Sequence, residues 1–250
     1  MITFAQYLRE FDAKLAYHDE LNPAMWDGDR LKAKVREALL KISLEFQEFL
    51  KIDPADIVGV VLTGSNANYN WTKLSDVDLH VVVDFDRLVG TCQGIDADEY
   101  LQTKKTLWNE HHHISVYGYH VELYAQHSDQ PIASSAGVYD LKKDEWVRKP
   151  VKEKVDFEDK NIELKAKVIM DAIDGAIDNK VDDAAALGKI KERIKTMRRA
   201  GLLAGGEYSI ENLAFKALRN NGYLEKFSKY TADLEDKKLS LESQAPFNNR

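Results

Sequence analysis

Apolar residues recur at helical spacing near the start of the chain, first at Phe4, Leu8, Phe11 and Leu15, then at Leu31, Val35, Leu39, Ile42, Phe46 and Phe49. Steps of three and four residues put apolar side chains on one face of a helix. The pattern therefore predicts a short helix over Phe4 to Ala16 and a longer amphipathic one, with breaks at Asn22-Pro23 and Asp53-Pro54. From Ile57 to Leu62 the pattern becomes an unbroken apolar run, the mark of a strand buried on both faces. Past Asp76 it alternates. Asp76 and Asp78 project from one face of a strand while Val77 and Leu79 enter the core, and the strand continues to Val83 in a hairpin-like relation to the run before it.

Ala97 to Asn109 reads as a helix. Ile114–Val116 and Tyr119–Ala125 read as strands around a Tyr117-Gly118 turn, with His120, Glu122 and Tyr124 on one face and Val121, Leu123 and Ala125 on the other. Gly137–Leu141 and Glu145–Val147 form a last expected hairpin, with Lys142-Lys-Asp144 in its turn. After Pro150 the pattern is helical throughout. One apolar line runs through Ile162, Ala166, Ile169, Ile173 and Ile177, and a second through Leu187, Ile190, Ile194 and Met197. A third, beyond Gly205-Gly206, runs through Ile210, Leu213, Ala217, Leu218 and Leu224. The expected fold is α+β: N-terminal helices and a small mixed β-sheet core over residues 1–150, a helical module over 151–235, and a mobile tail over 236–250.

Composition narrows the class. No run of 18 apolar residues exists, so no membrane span is expected. Met1–Glu10 lacks an apolar signal core, and Cys92 is the only cysteine, so a cytoplasmic setting is expected. A net charge of −7 argues against indiscriminate binding to nucleic acid, whose backbone demands a cationic face. The charge is uneven, however. Lys189 to Lys229 holds ten Lys or Arg against four Glu, which makes the C-terminal helices either a solvated face or an acceptor groove for RNA.

The segment Leu62–His80 carries the candidate chemistry: an apolar strand, Gly64-Ser65, a polar loop, then Asp76 and Asp78. Two carboxylates side by side repel unless a cation lies between them, and hard cations such as Mg²⁺ take oxygen ligands. A Gly-Ser turn offers backbone N–H groups and a hydroxyl to a phosphate. The plainer readings are a pair of exposed strand-end acids and an ordinary strand-exit turn. The run Asn66–Trp71 carries no cation, and Tyr69 and Trp71 either stack on a base or tuck onto the core. His111-His-His113 alternates direction, so it does not converge on one ion.

Gly64-Ser65 followed by Asp76-Val-Asp78 resembles the DNA polymerase β-like nucleotidyltransferase superfamily in residue type, order and spacing. Leu21–Trp26, Val121–Tyr124, Gly137–Tyr139 and Gly205–Ser209 look like the corresponding stretches of phage-encoded predicted nucleotidyltransferases. The likeness covers most of the chain. It implies catalytic, metal-binding carboxylates at Asp76 and Asp78, nucleotide binding at Gly64 and Ser65, and a third carboxylate on a later strand. Glu122 is the best candidate for that third acid, with Asp84 and Asp86 as rivals. The implied activity moves a nucleoside monophosphate from an NTP to an acceptor hydroxyl, RNA among the candidates, with Mg²⁺ or Mn²⁺ as cofactor. In a phage-encoded protein the setting would be the host cytoplasm. The alternative is a catalytically silent fold that binds a nucleotide or a host factor.

Overall fold

The computed structural model describes residues 12–85, 96–129 and 136–240. Most of the expected first helix, the rival acid Asp86, Cys92 and the last ten residues of the expected tail lie outside them. The chain divides into two compact units. One is Ala16–Lys154. The other holds the chain from Val155 onward together with the residues before Ala16.

The first unit is built on a six-stranded mixed sheet. A two-stranded hairpin, β1 (Trp26–Asp27) and β2 (Arg30–Leu31), precedes it, with Gly28 at positive φ in its turn. Leu31, expected on the first long helix, lies instead in β2, and helix α1 covers Ala33–Leu50. Its Val35, Leu39 and Phe46, from the expected stripe, are fully buried, Ile42 and Phe49 are partly so, and Leu50, outside that stripe, is fully buried as well. Burial of each such side chain contributes about 1.5–3 kcal/mol.

The sheet strands are β3 (Ile57–Thr63), β4 (Val77–Val83), β5 (Ser115–Val116), β6 (Tyr119–His127), β7 (Val138–Asp140) and β8 (Glu145–Arg148), in the spatial order β5-β6-β4-β3-β7-β8. β3 and β4 pair antiparallel, as the hairpin-like relation predicts. β4 and β6 pair parallel, and the connection between them contains α2 (Ala97–His111). Parallel neighbours require a crossover of this kind. In β3 the apolar run is only partly two-sided, since Val58 is exposed while Val60 to Thr63 are buried. In β4 and β6 burial alternates residue by residue, with Val77, Leu79, Val81, Val121 and Leu123 in the core. The other face of both strands carries the polar residues. Helix α2 presses Trp108 and Leu101 into the same core, where Trp108 meets Phe46 edge-on at 5.4 Å.

The second unit is helical: α3 (Lys160–Asp178), α4 (Ala184–Gly205), α5 (Ile210–Asn220) and α6 (Tyr223–Leu239). Each of the first three begins at a side-chain cap, from Asp159, Asp183 and Ser209 respectively. Ile162, Ile169, Ile173, Leu213, Leu218 and Phe227 form its core. The single third helix expected from the pattern is two. Asn221-Gly222 interrupts it, with Gly222 at φ +76°, so Leu224 belongs to α6. Helix α6 also continues through Asp236 to Leu239, past the expected start of the tail. Asp12 to Leu15 belong to this unit and are not helical. Asn220 Nδ2 donates to the Lys14 carbonyl at 2.9 Å and Asn221 Nδ2 to that of Asp12 at 2.9 Å.

Candidate active site

Three adjacent strands bring two of the sequence-predicted acids, Asp78 and Glu122, into one row with Thr63. Thr63 on β3 lies opposite Asp78 on β4, and Asp78 lies opposite Glu122 on β6. Neighbouring strands are about 4.8 Å apart, so the Asp78 and Glu122 backbones are immediate neighbours and their side chains share the half-exposed face. Asp76 stands just ahead of β4. Its charge, with those of Asp78 and Glu122, acts on the hydroxyl of Tyr124.

Gly64 ends β3 with φ +77°, a conformation side chains resist. A Cβ built there would come within 1.6 Å of the Asp78 carboxylate oxygen and 2.6 Å of its Cγ. Glycine is therefore what lets the Gly-Ser backbone lie directly against this acid. Ser65 follows, half-exposed, at the start of a short turn.

The loop after Ser65 is clasped from both sides. Asn66 is fully buried, donates from Nδ2 to the Asp76 carbonyl at 2.9 Å, and accepts from Asn22 Nδ2 at 2.8 Å. The Trp26 indole donates to the Asn66 carbonyl at 2.7 Å. From the other side Gly137 N–H donates to the Ala67 carbonyl at 3.0 Å, and the Thr63 hydroxyl donates to the Gly137 carbonyl at 2.9 Å. Trp71 stacks on His18 at 3.8 Å, and Tyr69 leans on Tyr17 at 6.1 Å under the Lys152 ammonium. Both aromatics thus have partners within the chain.

Below the acids the same face continues as His80 and Tyr124, stacked at 4.6 Å. His80 Nδ1 is 2.7 Å from Gln126 Oε1. Burial holds the His80 imidazole below its ordinary pKa. Burial, then the Asp78 and Glu122 charges and a hydrogen bond to Glu122, push the Tyr124 hydroxyl far above its ordinary range, so it remains a donor. Asp84, the described rival for the third acid, lies beyond β4, where its N–H donates to the Asp56 carbonyl. The ring of His112 stacks on Trp108.

Pattern reading did not single out Lys105. Its ammonium lies 3.7 Å from Glu122 Oε1 and 3.7 Å from the centroid of the Tyr124 ring. Burial pulls its pKa down, and the Glu122 and Asp78 charges oppose that shift. A signal for it existed: Leu101, Lys105 and Trp108 are spaced four and three apart, so the lysine occupies the apolar stripe of α2.

Among the described residues no three His, Cys, Asp or Glu side chains stand close enough to share one metal ion. The donor chemistry nonetheless fits a hard divalent cation: carboxylate oxygens on one sheet face, two of them in register. They share a face without forming a closed cage, and Lys105 stands at Glu122.

The helical unit has a separate feature of its own. A groove of about 660 Å³ has Ile194, Phe215, Leu224 and Phe227 among its lining residues, with Lys191, Lys195, Arg198 and Arg199 along α4. The Arg198 guanidinium sits 4.3 Å from the Phe215 ring centroid.

A mixed sheet with Gly-Ser against an Asp-x-Asp strand, followed by helices, defines a nucleotide-transferring architecture. The chain belongs to the nucleotidyltransferase domain family, whose model matches residues 40–195, more than half of the chain. The match runs from α1 into α4. No curated protein and no solved structure matches. Family membership assigns nucleotidyl transfer with an NTP as donor. No helix among the described residues is long and apolar enough to cross a membrane.

Proposed function

We propose that this chain transfers a nucleoside monophosphate from an NTP to an acceptor hydroxyl at the face formed by Asp76, Asp78 and Glu122. The observation that carries the reading is the Asp78–Glu122 register with the Gly64 backbone laid against Asp78. Gly64 and Ser65 hold the triphosphate, because the absent Cβ lets the Gly-Ser backbone lie against Asp78 and so brings its turn beside the acids. Asp78 and Glu122, in register, with Asp76 just ahead of them, would be the ligands of divalent cation, Mg²⁺ or Mn²⁺, without all three sharing one ion in this arrangement. The cation when bound would neutralise charge on the transferring phosphate. The acceptor oxygen attacks the α-phosphorus, the bond to pyrophosphate breaks, and Glu122 orients the acceptor hydroxyl and receives its proton. Catalysis rests on positioning and electrostatics, with no covalent enzyme intermediate.

RNA is the proposed acceptor. Lys191, Lys195, Arg198 and Arg199 along one groove support it, since phosphate binding requires clustered cations.

The test is transfer of label from each α-³²P NTP, with Mg²⁺ or Mn²⁺, into total cellular RNA and protein. Label should appear with the native chain, vanish in the Asp76→Asn, Asp78→Asn variant, and be removed by ribonuclease. Protease-sensitive label would replace RNA with a protein acceptor. A second reading, a silent fold that binds nucleotide or a host factor, is favoured by Lys105 already seated at Glu122. Nucleotide binding without turnover on any acceptor would select it.

A further inference from the structure

The Gly-Ser loop of this site lacks a cation of its own. Asn66–Trp71 contains none, and Lys73 beyond it is exposed. A triphosphate carries several negative charges, and a site that already holds three acids must offset them. A positive charge at the acids comes from another element. Lys105 projects from α2 with its side chain only 20% exposed, although lysine ordinarily carries its ammonium into water. Its neighbour Lys104 turns the other way, over the rings of Phe49 and Tyr100. The charges acting on Lys105 come from two strands, Asp78 on β4 and Glu122 on β6, and the Tyr124 ring face lies under the ammonium.

We propose that Lys105 is a phosphate-binding residue that changes partners: it neutralises Glu122 when no divalent cation is bound, and turns to the NTP phosphates when one is. This inference rests on the site reading above. Without metal, Glu122 and Asp78 lie in register on neighbouring strands and repel, and the ammonium relieves them. With carboxylate charge taken up by a divalent cation, the attraction of Glu122 for Lys105 falls and that of the incoming phosphate prevails. The four-carbon stem lets the ammonium swing without moving α2. The lysine thus supplies, from a helix, the cation missing from the loop.

The proposal predicts effects of opposite sign in one variant. Mn²⁺ binding to the full chain is followed by the loss of the free-ion electron paramagnetic resonance signal. Binding of α,β-methylene ATP, and of its guanosine, cytidine and uridine counterparts, is followed by calorimetry at saturating Mn²⁺. Lys105→Met should bind Mn²⁺ several-fold more tightly, because a competing cation is gone. It should bind the methylene nucleotide about tenfold more weakly, the worth of a charge-assisted hydrogen bond. Lys105→Arg should restore most of the nucleotide affinity. Loss of both affinities together with a lowered Tm would make Lys105 a structural residue, and no change in either would also overturn the proposal. If the native chain binds no Mn²⁺, or binds it equally after Asp78→Asn, the reading of the carboxylate site itself fails. If native binding depends on Asp78 but Lys105→Met does not split the two affinities, only the assignment of Lys105 fails.

Discussion

Gly64 is the residue on which the site geometry turns. Alanine there meets two obstacles at once, a positive φ and a Cβ 1.6 Å from the Asp78 carboxylate oxygen. Carboxylate and loop cannot both keep their places. Gly64→Ala should therefore destabilise the chain by about 1–3 kcal/mol, the scale of strained backbone, and abolish label transfer even at temperatures where it stays folded. Urea unfolding beside the transfer assay checks both. Activity near the native level would mean that the Gly-Ser backbone does not need to approach Asp78. Gly64, Ser65, Asp76 and Asp78 were legible because four residues close in sequence carry the pattern. The facing of Glu122 was legible from alternation on its own strand, but its partner on the sheet was not, since register across a crossover is a tertiary fact. Lys105 was hidden for a related reason. A lysine within a charged helix reads as solvated until the apolar stripe through Leu101 and Trp108 is drawn through it.

At the scale of elements, α2 is held to β6 by more than apolar packing. Asn109 spans the edge of β6, donating from Nδ2 to the Leu123 carbonyl at 2.9 Å and accepting the Leu123 N–H at 3.1 Å. That clasp fixes the helix one turn from Lys105. Asn109→Ala leaves both backbone groups unpaired, which costs about 1–3 kcal/mol. If Lys105 binds phosphate as proposed, the variant should also raise KM for NTP more than it lowers kcat, because it loosens the helix that carries Lys105. Steady-state kinetics beside a Tm measurement separates the two effects, and a lower Tm with unchanged KM would disconnect α2 from substrate binding. The strands of the six-stranded sheet and the long helices followed from the sequence pattern, whereas the hairpin ahead of them and one helix break did not. β1 and β2 have two residues each, too few to show a period, and the split between α5 and α6 rests on one positive-φ glycine. Likeness to known sequences pointed to residues whose purpose only the fold displays. Asn22 and Trp26 lie far from Gly137 in the chain, yet all three bond to the loop at Asn66 and Ala67.

For the molecule as a whole, the proposed RNA acceptor requires an acidic chain to concentrate its cations. Lys191 and Lys195 are exposed on α4 and line the groove. The double variant Lys191→Glu, Lys195→Glu should raise KM for an RNA acceptor by about tenfold and flatten its salt dependence, while kcat changes little and NTP binding stays the same. Unchanged KM at low and moderate salt would remove RNA from this groove. Charge counting had located the basic stretch, but it could not show that four of its cations border one apolar channel, because that depends on how three helices pack.

The clasp around Asn66 has a practical corollary for how this domain is cut. The family match begins at residue 40, inside α1, yet the bonds that organise the phosphate-side loop come from Asn22 and Trp26. A fragment trimmed to the matched span would keep every candidate carboxylate and discard the brace that shapes their neighbour. Such a fragment would hold the candidate site in inventory only, since the structural brace of the loop starts well upstream of the recognisable domain.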